Sequence, residues 1–226
     1  MMIPVGSTYL AGLLLGVRHA LEPDHIAAVT TLITRERAGR STALIGAAWG
    51  IGHGLPLVLL CGLLTAFGEL PSSVAWGAEL SAALALIVLG ISAIHRALTA
   101  VKDGVSQLHH HGSLTHVHGG PEEHLHVAGW TVARRPFAFG LLHGIAGSGA
   151  LATLVSLSIP SLGQRLLYVA LFAGGAAATM VLLTALATLP LADLGDGSRP
   201  LRWLRGCSGM ASVVIGMIWA LPLLIG

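Results

Sequence analysis

Charge is scarce in this chain. Only 10% of its 226 residues are Asp, Glu, Lys or Arg, where a soluble domain carries about 25% to wet its surface. A soluble domain is excluded on that ground. Disorder is excluded as well, because chains that stay unfolded are rich in charge and poor in apolar residues, and 54% of this chain is apolar. Cysteine is also sparse. Cys61 and Cys207 lie in or beside apolar segments without CxxC spacing, so they read as packing thiols and no disulfide framework is expected. No GxxxxGK(S/T) is present, hence no nucleotide engine, and no HExxH of a zinc protease. The opening MMIPVGSTYLAGLLLG lacks the basic n-region of a signal peptide and is expected to begin the first span. A net charge of +2 does not point to a nucleic-acid partner, because most basic residues sit in short loops between apolar runs.

What is present is long apolar stretch. The mean hydropathy is +0.80, and runs of about 20 residues separate the charge clusters, enough to cross a bilayer as helices. Six segments can be marked, at 5–34, 42–67, 73–97, 136–158, 163–191 and 202–225. Small residues recur in them at four-residue spacing: Gly12/Gly16, Gly46/Gly50/Gly54 and Gly140/Gly144. Such stripes let helix backbones approach closely in lipid.

The few charges orient the spans. Arg35, Arg37, Arg40, Arg96, Lys102, Arg134, Arg135, Arg199, Arg202 and Arg205 follow spans one, three and five, against Arg165 alone on the other side. By the positive-inside rule both termini are expected on the non-cytoplasmic side of the cell membrane. Trp76, Trp130 and Trp203 fall near interfaces, as belt aromatics do.

A search for internal repeats is the most informative step. Span one reads GVRHALEPDHIAAVTTL over 16–32, and span four reads GLLHGIAGSGALATLVSL over 140–157. Each has Gly-x-x-His with an oxygen-bearing residue five positions later, Asp24 or Ser148. A weaker echo joins the surroundings of Gly90 and Gly216. Halves of three spans must run in opposite senses. The expected fold is therefore all-α, a polytopic membrane protein of six transmembrane helices in two inverted three-helix repeats, 1–101 and 135–226. Inverted repeats place a substrate site near the midplane between broken helices.

Ionisable residues gather in span one: Arg18, His19, Glu22, Asp24 and His25. Each such group at membrane depth costs on the order of 2.5–3.5 kcal/mol on insertion scales, so the cluster is a functional hypothesis by default. Asp24 lies roughly 16 Å from Arg35 and His143 roughly 12 Å from Arg135 at helical rise, so the two motifs are expected at one level. Pro23 supplies no N–H and clashes with the carbonyl four residues back. Span one should break across 19–23 and free the His19 carbonyl, and Gly144, Gly147 and Gly149 allow a similar loosening of span four. Imidazole with carboxylate suits a divalent first-row ion, which makes His19, Asp24, His25, His53 and His143 the candidate ligands, with Glu22 and Ser148 as secondary candidates on the path. An ion-pair network is the plainer account of part of the cluster, and the i,i+4 spacing of Arg18 and Glu22 suits a pair. His95, beside Arg96, reads as interfacial. Residues 102–134 form a loop on the side of the basic residues, holding His109, His110, His111, His116, His118, His124 and His126. This tract reads as metal-binding rather than as a folded domain.

The run RHALEPDHIAAV, with histidine, four residues, then Asp-His, resembles the signature helix of the nickel–cobalt permease family. The run FGLLHGIAGSGA over 139–150 resembles that family's second motif. The likeness is greatest to the short, six-span, urease-accessory type. It covers about 7–60 and 136–160 in detail. The resemblance implies that His19, Asp24 and His25 recognise the ion, with His143 and Ser148 in the second motif and His53 in the next span. Glu22-Pro23 stands where many relatives have a second acidic and a small residue. The expected activity is transport of Ni2+ (or Co2+) as substrate by alternating access, uptake favoured over export, with no catalytic cofactor. Cytoplasmic nickel chaperones or urease maturation proteins are partners of the same implication. Two further classes stay open: a membrane-anchored metal sensor or assembly factor using the loop, and an intramembrane serine protease on Ser148 or Ser208.

Overall fold

With no water in a bilayer core, every backbone N–H and C=O must be satisfied within the segment, which leaves a nearly charge-free chain the helix as its local solution. The computed structural model describes residues 5–33, 41–68, 72–99, 134–144, 153, 155–191 and 198–225, together with four short strands inside 107–133. The helices are α1 (Val5–His19), α2 (Pro23–Ile33), α3 (Ser41–Phe67), α4 (Ser72–Thr99), α5 (Arg134–His143), α6 (Leu162–Thr188) and α7 (Arg199–Ile225). A 3-10 turn, Leu189–Leu191, extends α6. Four of these, α3, α4, α6 and α7, are long and apolar enough to cross a membrane. With 15, 11 and 10 residues, α1, α2 and α5 are each shorter than a bilayer core requires.

The expected break in span one lies between α1 and α2. Pro23 opens α2 at a position where a missing N–H goes unnoticed, and Asp24 follows in the first turn, where the helix dipole favours a negative charge. One detail of the expectation is corrected. The His19 carbonyl is not freed: the chain tightens to three-residue bonds, and Glu22 N–H donates to it at 3.0 Å, as Leu21 N–H does to Arg18. In the second half α5 ends at His143, with Gly144 N–H still donating to the Gly140 carbonyl at 2.8 Å. Gly147, Ser148 and Gly149 lie outside the described residues. Helical residues resume at Thr153, Val155 and Ser156 before a turn over 157–158.

The glycine stripes are where helices meet. Along α3, Gly46, Gly50 and Gly54 face Val181, Ala177 and Ala173 of α6, an antiparallel crossing without room for a Cβ. Gly90 of α4 faces Gly209 and Val213 of α7, and Gly216 faces Ala83 and Ile87 in return. Gly12 and Gly16 of α1 meet Tyr168 and Phe172 of α6, running parallel, while Gly140 and Gly144 of α5 meet Trp49 and His53 of α3. Large apolar side chains such as Leu14, Ile51, Leu59, Val88, Leu182 and Ile218 point outward. The core holds His19, Asp24, His25, His53 and His143, the arrangement of a protein solvated by lipid.

The His-rich segment is not wholly without secondary structure. Its backbone pairs as two separate antiparallel hairpins, β1 (Gln107–His111) with β2 (Leu114–His118) and β3 (His124–Val127) with β4 (Trp130–Ala133). His109 stands opposite His116 in the first register. Runs containing Leu, Thr and Val on either side of Gly112-Ser113 are a hairpin signal, and it outweighs the high glycine and charge content that argued for a loop.

The α3–α6 crossing gives the first prediction. Gly50→Leu should destabilise the protein by about 1–3 kcal/mol through overpacking, measured by thermal unfolding in detergent. Gly174→Leu, on the exposed face of α6 with nothing within 4 Å, should be neutral. Equal tolerance of both would contradict the close crossing.

Candidate metal centre

The break at 19–23 turns the end of α1 and the start of α2 inward. His19, in the last turn of α1, and Asp24 and His25, in the first turn of α2, all enter the interior. His53 comes from the middle of α3, and His143 from the last turn of α5. None of the five is more than 3% exposed. The ligand candidates expected from three stretches of sequence therefore meet at one place, and His143 of the second motif lies level with Asp24 of the first.

The contacts are short and cross between halves. His143 Nε2 donates to Asp24 Oδ2 at 2.7 Å. His19 Nδ1 donates to Glu22 Oε2 at 3.0 Å, and its Nε2 lies 3.0 Å from His53 Nε2. A neutral His19 that donates from Nδ1 must accept at Nε2, so His53 donates there. That chain of tautomers leaves bare lone pairs on His53 Nδ1 and His143 Nδ1. Neither atom has a hydrogen-bond partner among the described residues, and neither does either nitrogen of His25. His25 Nδ1 is 3.1 Å from Asp24 Oδ2 but is not aligned for a hydrogen bond. Four buried ring nitrogens without partners among the described residues cost about 1–3 kcal/mol each. Such nitrogens have the chemistry to ligate a first-row metal ion.

Aromatic rings wall the cluster. His25 stacks on Trp49 at 5.5 Å between centroids, and His143 stacks on Phe139 at 5.4 Å and Trp219 at 5.9 Å. Phe172 lies 5.3 Å from His19. Sequence reasoning passed over Trp219 and gave Trp49 and Phe139 no role of their own. The spacing Trp49/His53 and Phe139/His143, four apart on one helix face, carried the signal for two of the three.

The remaining candidates divide. Glu22 is partly exposed and pairs with His19 rather than with Arg18, which is itself exposed; the reason is the turn at 19–22, which breaks the helical i,i+4 geometry that the pair needs. Ser148 lies outside the described residues. His95 is exposed on α4, away from the cluster. Ser208 donates to the Arg205 carbonyl of its own helix at 3.3 Å, which gives a protease no base. Cys61 is buried and free, 3.6 Å from Ser156 Oγ, and Cys207 is free and exposed, so the packing reading fits Cys61. The side chains of the loop histidines lie outside the described residues.

Fold and centre together define a helical membrane protein whose buried histidine and carboxylate side chains, among the described residues, gather in one cluster. No family model matches the chain, and no solved structure matches it. Among curated proteins it is similar to the urease accessory protein UreH of Bacillus sp. (strain TB-90), 31% identical over 187 residues, covering 79% of this chain and 75% of that protein. The chain belongs to the UreH family.

Because the His25 nitrogens have no hydrogen-bond partner among the described residues, their burial costs stability in the metal-free protein. His25→Leu, of similar bulk, should leave the unfolding midpoint in chelator unchanged or raised. A drop equivalent to about 2 kcal/mol or more would show that the ring is held for structure rather than for binding.

Proposed function

We propose that this protein is a permease for a divalent transition-metal cation, nickel first and cobalt second. The observation that carries the reading is the set of buried imidazole nitrogens, gathered round a carboxylate, for which the described residues offer no hydrogen-bond partner. Neutral imidazole suits nickel, copper, zinc and iron alike. The likeness to a urease accessory protein favours nickel, because urease is a nickel enzyme and its accessory proteins serve that metal. His19, Asp24, His25, His53 and His143 hold the ion in transit, and Glu22 orients His19 from outside the cluster. A carboxylate or carbonyl on the far ring nitrogen fixes the tautomer and strengthens the ligand.

Six spans in two inverted repeats fit the packing. α1 runs parallel to α6, α5 runs parallel to α3, and the pairs α3–α6 and α4–α7 are antiparallel, as a chain that crosses six times would require. Exchanging the halves maps contacts onto one another: Leu13 against Gly175 becomes Phe137 against Gly52, and Gly50 against Ala177 becomes Gly54 against Ala173. In this reading α1 with α2, and α5 with the helical residues after it, each form one broken span. Alternating access then rocks the halves about the cluster.

The excess of Lys and Arg puts both termini outside and the His-rich hairpins in the cytoplasm, where they can receive ions and pass them to nickel chaperones or urease maturation proteins. Inward movement of a divalent cation gains roughly 4.6 kcal/mol per 100 mV of inside-negative potential, twice the single-charge value, so uptake needs no nucleotide. The chain acts as a carrier, not an enzyme.

Proteoliposomes with an imposed inside-negative potential should accumulate radiolabelled nickel. His19→Ala and Asp24→Asn should each reduce the rate by at least about tenfold, the loss of one good ligand being worth more than 1.4 kcal/mol. Deleting 109–126 should leave most of the flux. Wild-type rates in both point variants would remove the site assignment, and loss of all response on deleting the loop would favour a sensor.

A further inference from the structure

The five buried side chains do not form one five-fold set. The ligand atoms of His19, His25 and His53 lie within 4.8 Å of one another, and so do those of Asp24, His25 and His143. Among the described residues the two sets share only His25. An ion with bonds of about 2 Å can draw in the members of one set by small side-chain shifts. One hydrogen bond lies within each set, His19 with His53 and His143 with Asp24, so an ion held by one set displaces that set's bond and leaves the other in place.

The two sets also differ in chemistry and in surroundings. One is all imidazole and neutral, the other includes a carboxylate that offsets half of a divalent charge. His19 of the first set lies against Phe172, part of an apolar cluster with Leu57, Cys61 and Tyr168. His143 of the second lies between Phe139 and Trp219, on the side of the other cluster, which contains Trp49, Phe139 and Met180. His25 stands between, held by its stacking on Trp49, with no hydrogen-bond partner for either nitrogen among the described residues. Its ring centroid is 4.4 Å from that of His19 and 4.7 Å from that of His143.

We propose that the centre is two overlapping ion positions, one of His19, His25 and His53 and one of Asp24, His25 and His143. One ion passes between them by exchanging ligands around His25, which it need not release. The neutral position faces one apolar plug and the charged position the other, so the step between them is part of the passage from side to side. The proposal rests on the reading of the cluster as a metal path.

The test is Ni2+ binding to the full-length protein in detergent, with the seven loop histidines changed to alanine so that only the buried centre is read. Equilibrium dialysis gives the number of ions bound, and the d–d absorption band reports their ligands. His53→Ala and His143→Ala should each still bind one equivalent, with bands shifted differently, while His25→Ala should lose binding. X-ray absorption on the loop-substituted parent, which needs no variant at the centre and so no assurance that one folds, should count two or three imidazoles per nickel. Four imidazoles, or loss of binding in His53→Ala and His143→Ala as complete as in His25→Ala, would overturn the two positions and leave the permease reading intact. A parent that binds no Ni2+ would contradict the permease reading and this proposal with it.

Discussion

The 2.7 Å contact between Asp24 and His143 is the point on which the molecule turns. It joins the two halves of the chain in a medium where a lone carboxylate is intolerable, so each half is obliged to present its polar group at the same depth. Neither group could do so from an unbroken span. On a continuous helix His19 and Asp24 would point about 140° apart, and only the turn between α1 and α2 brings both to the interior. The position of Pro23, one residue before Asp24, is a consequence of that demand.

The glycines follow from the same constraint. His53 and His143 can approach one another only because α3 and α5 cross with Gly140 and Gly144 against the backbone at Trp49 and His53. α1 is likewise brought to α6 through Gly12 and Gly16. In lipid there is no hydrophobic drive between helices, so close backbone packing has to hold together the frame round the charged centre. The rings of Trp49, Phe139, Phe172 and Trp219 then seal the cluster.

Much of this was readable from the sequence, for a physical reason. Where charge is rare, its placement is informative: the limits of α3, α4, α6 and α7, the break near Pro23 and the five converging side chains all follow from where polar residues interrupt apolar ones. What escaped was decided by local geometry or by partners distant in sequence. The His19 carbonyl is taken up by Glu22 because the turn tightens rather than opens, and the same turn hands Glu22 to His19 instead of Arg18. Trp219 reaches His143 from the other end of the chain, beyond any periodic signal. The hairpins at 107–118 and 124–133 were hidden by glycine and charge, although the Leu, Thr and Val residues for strands were present.

The likeness to a urease accessory protein and a centre of buried imidazoles beside a carboxylate point to the same chemistry, the handling of a divalent metal ion. The claim at the heart of this account is that the ion occupies the buried centre rather than the histidines of the 102–134 segment alone. Diffraction from crystals grown with nickel, collected at the nickel absorption edge, addresses it directly. An anomalous peak among His19, Asp24, His25, His53 and His143 is the predicted result. Nickel found only against residues 109–126, with the interior empty, would contradict it.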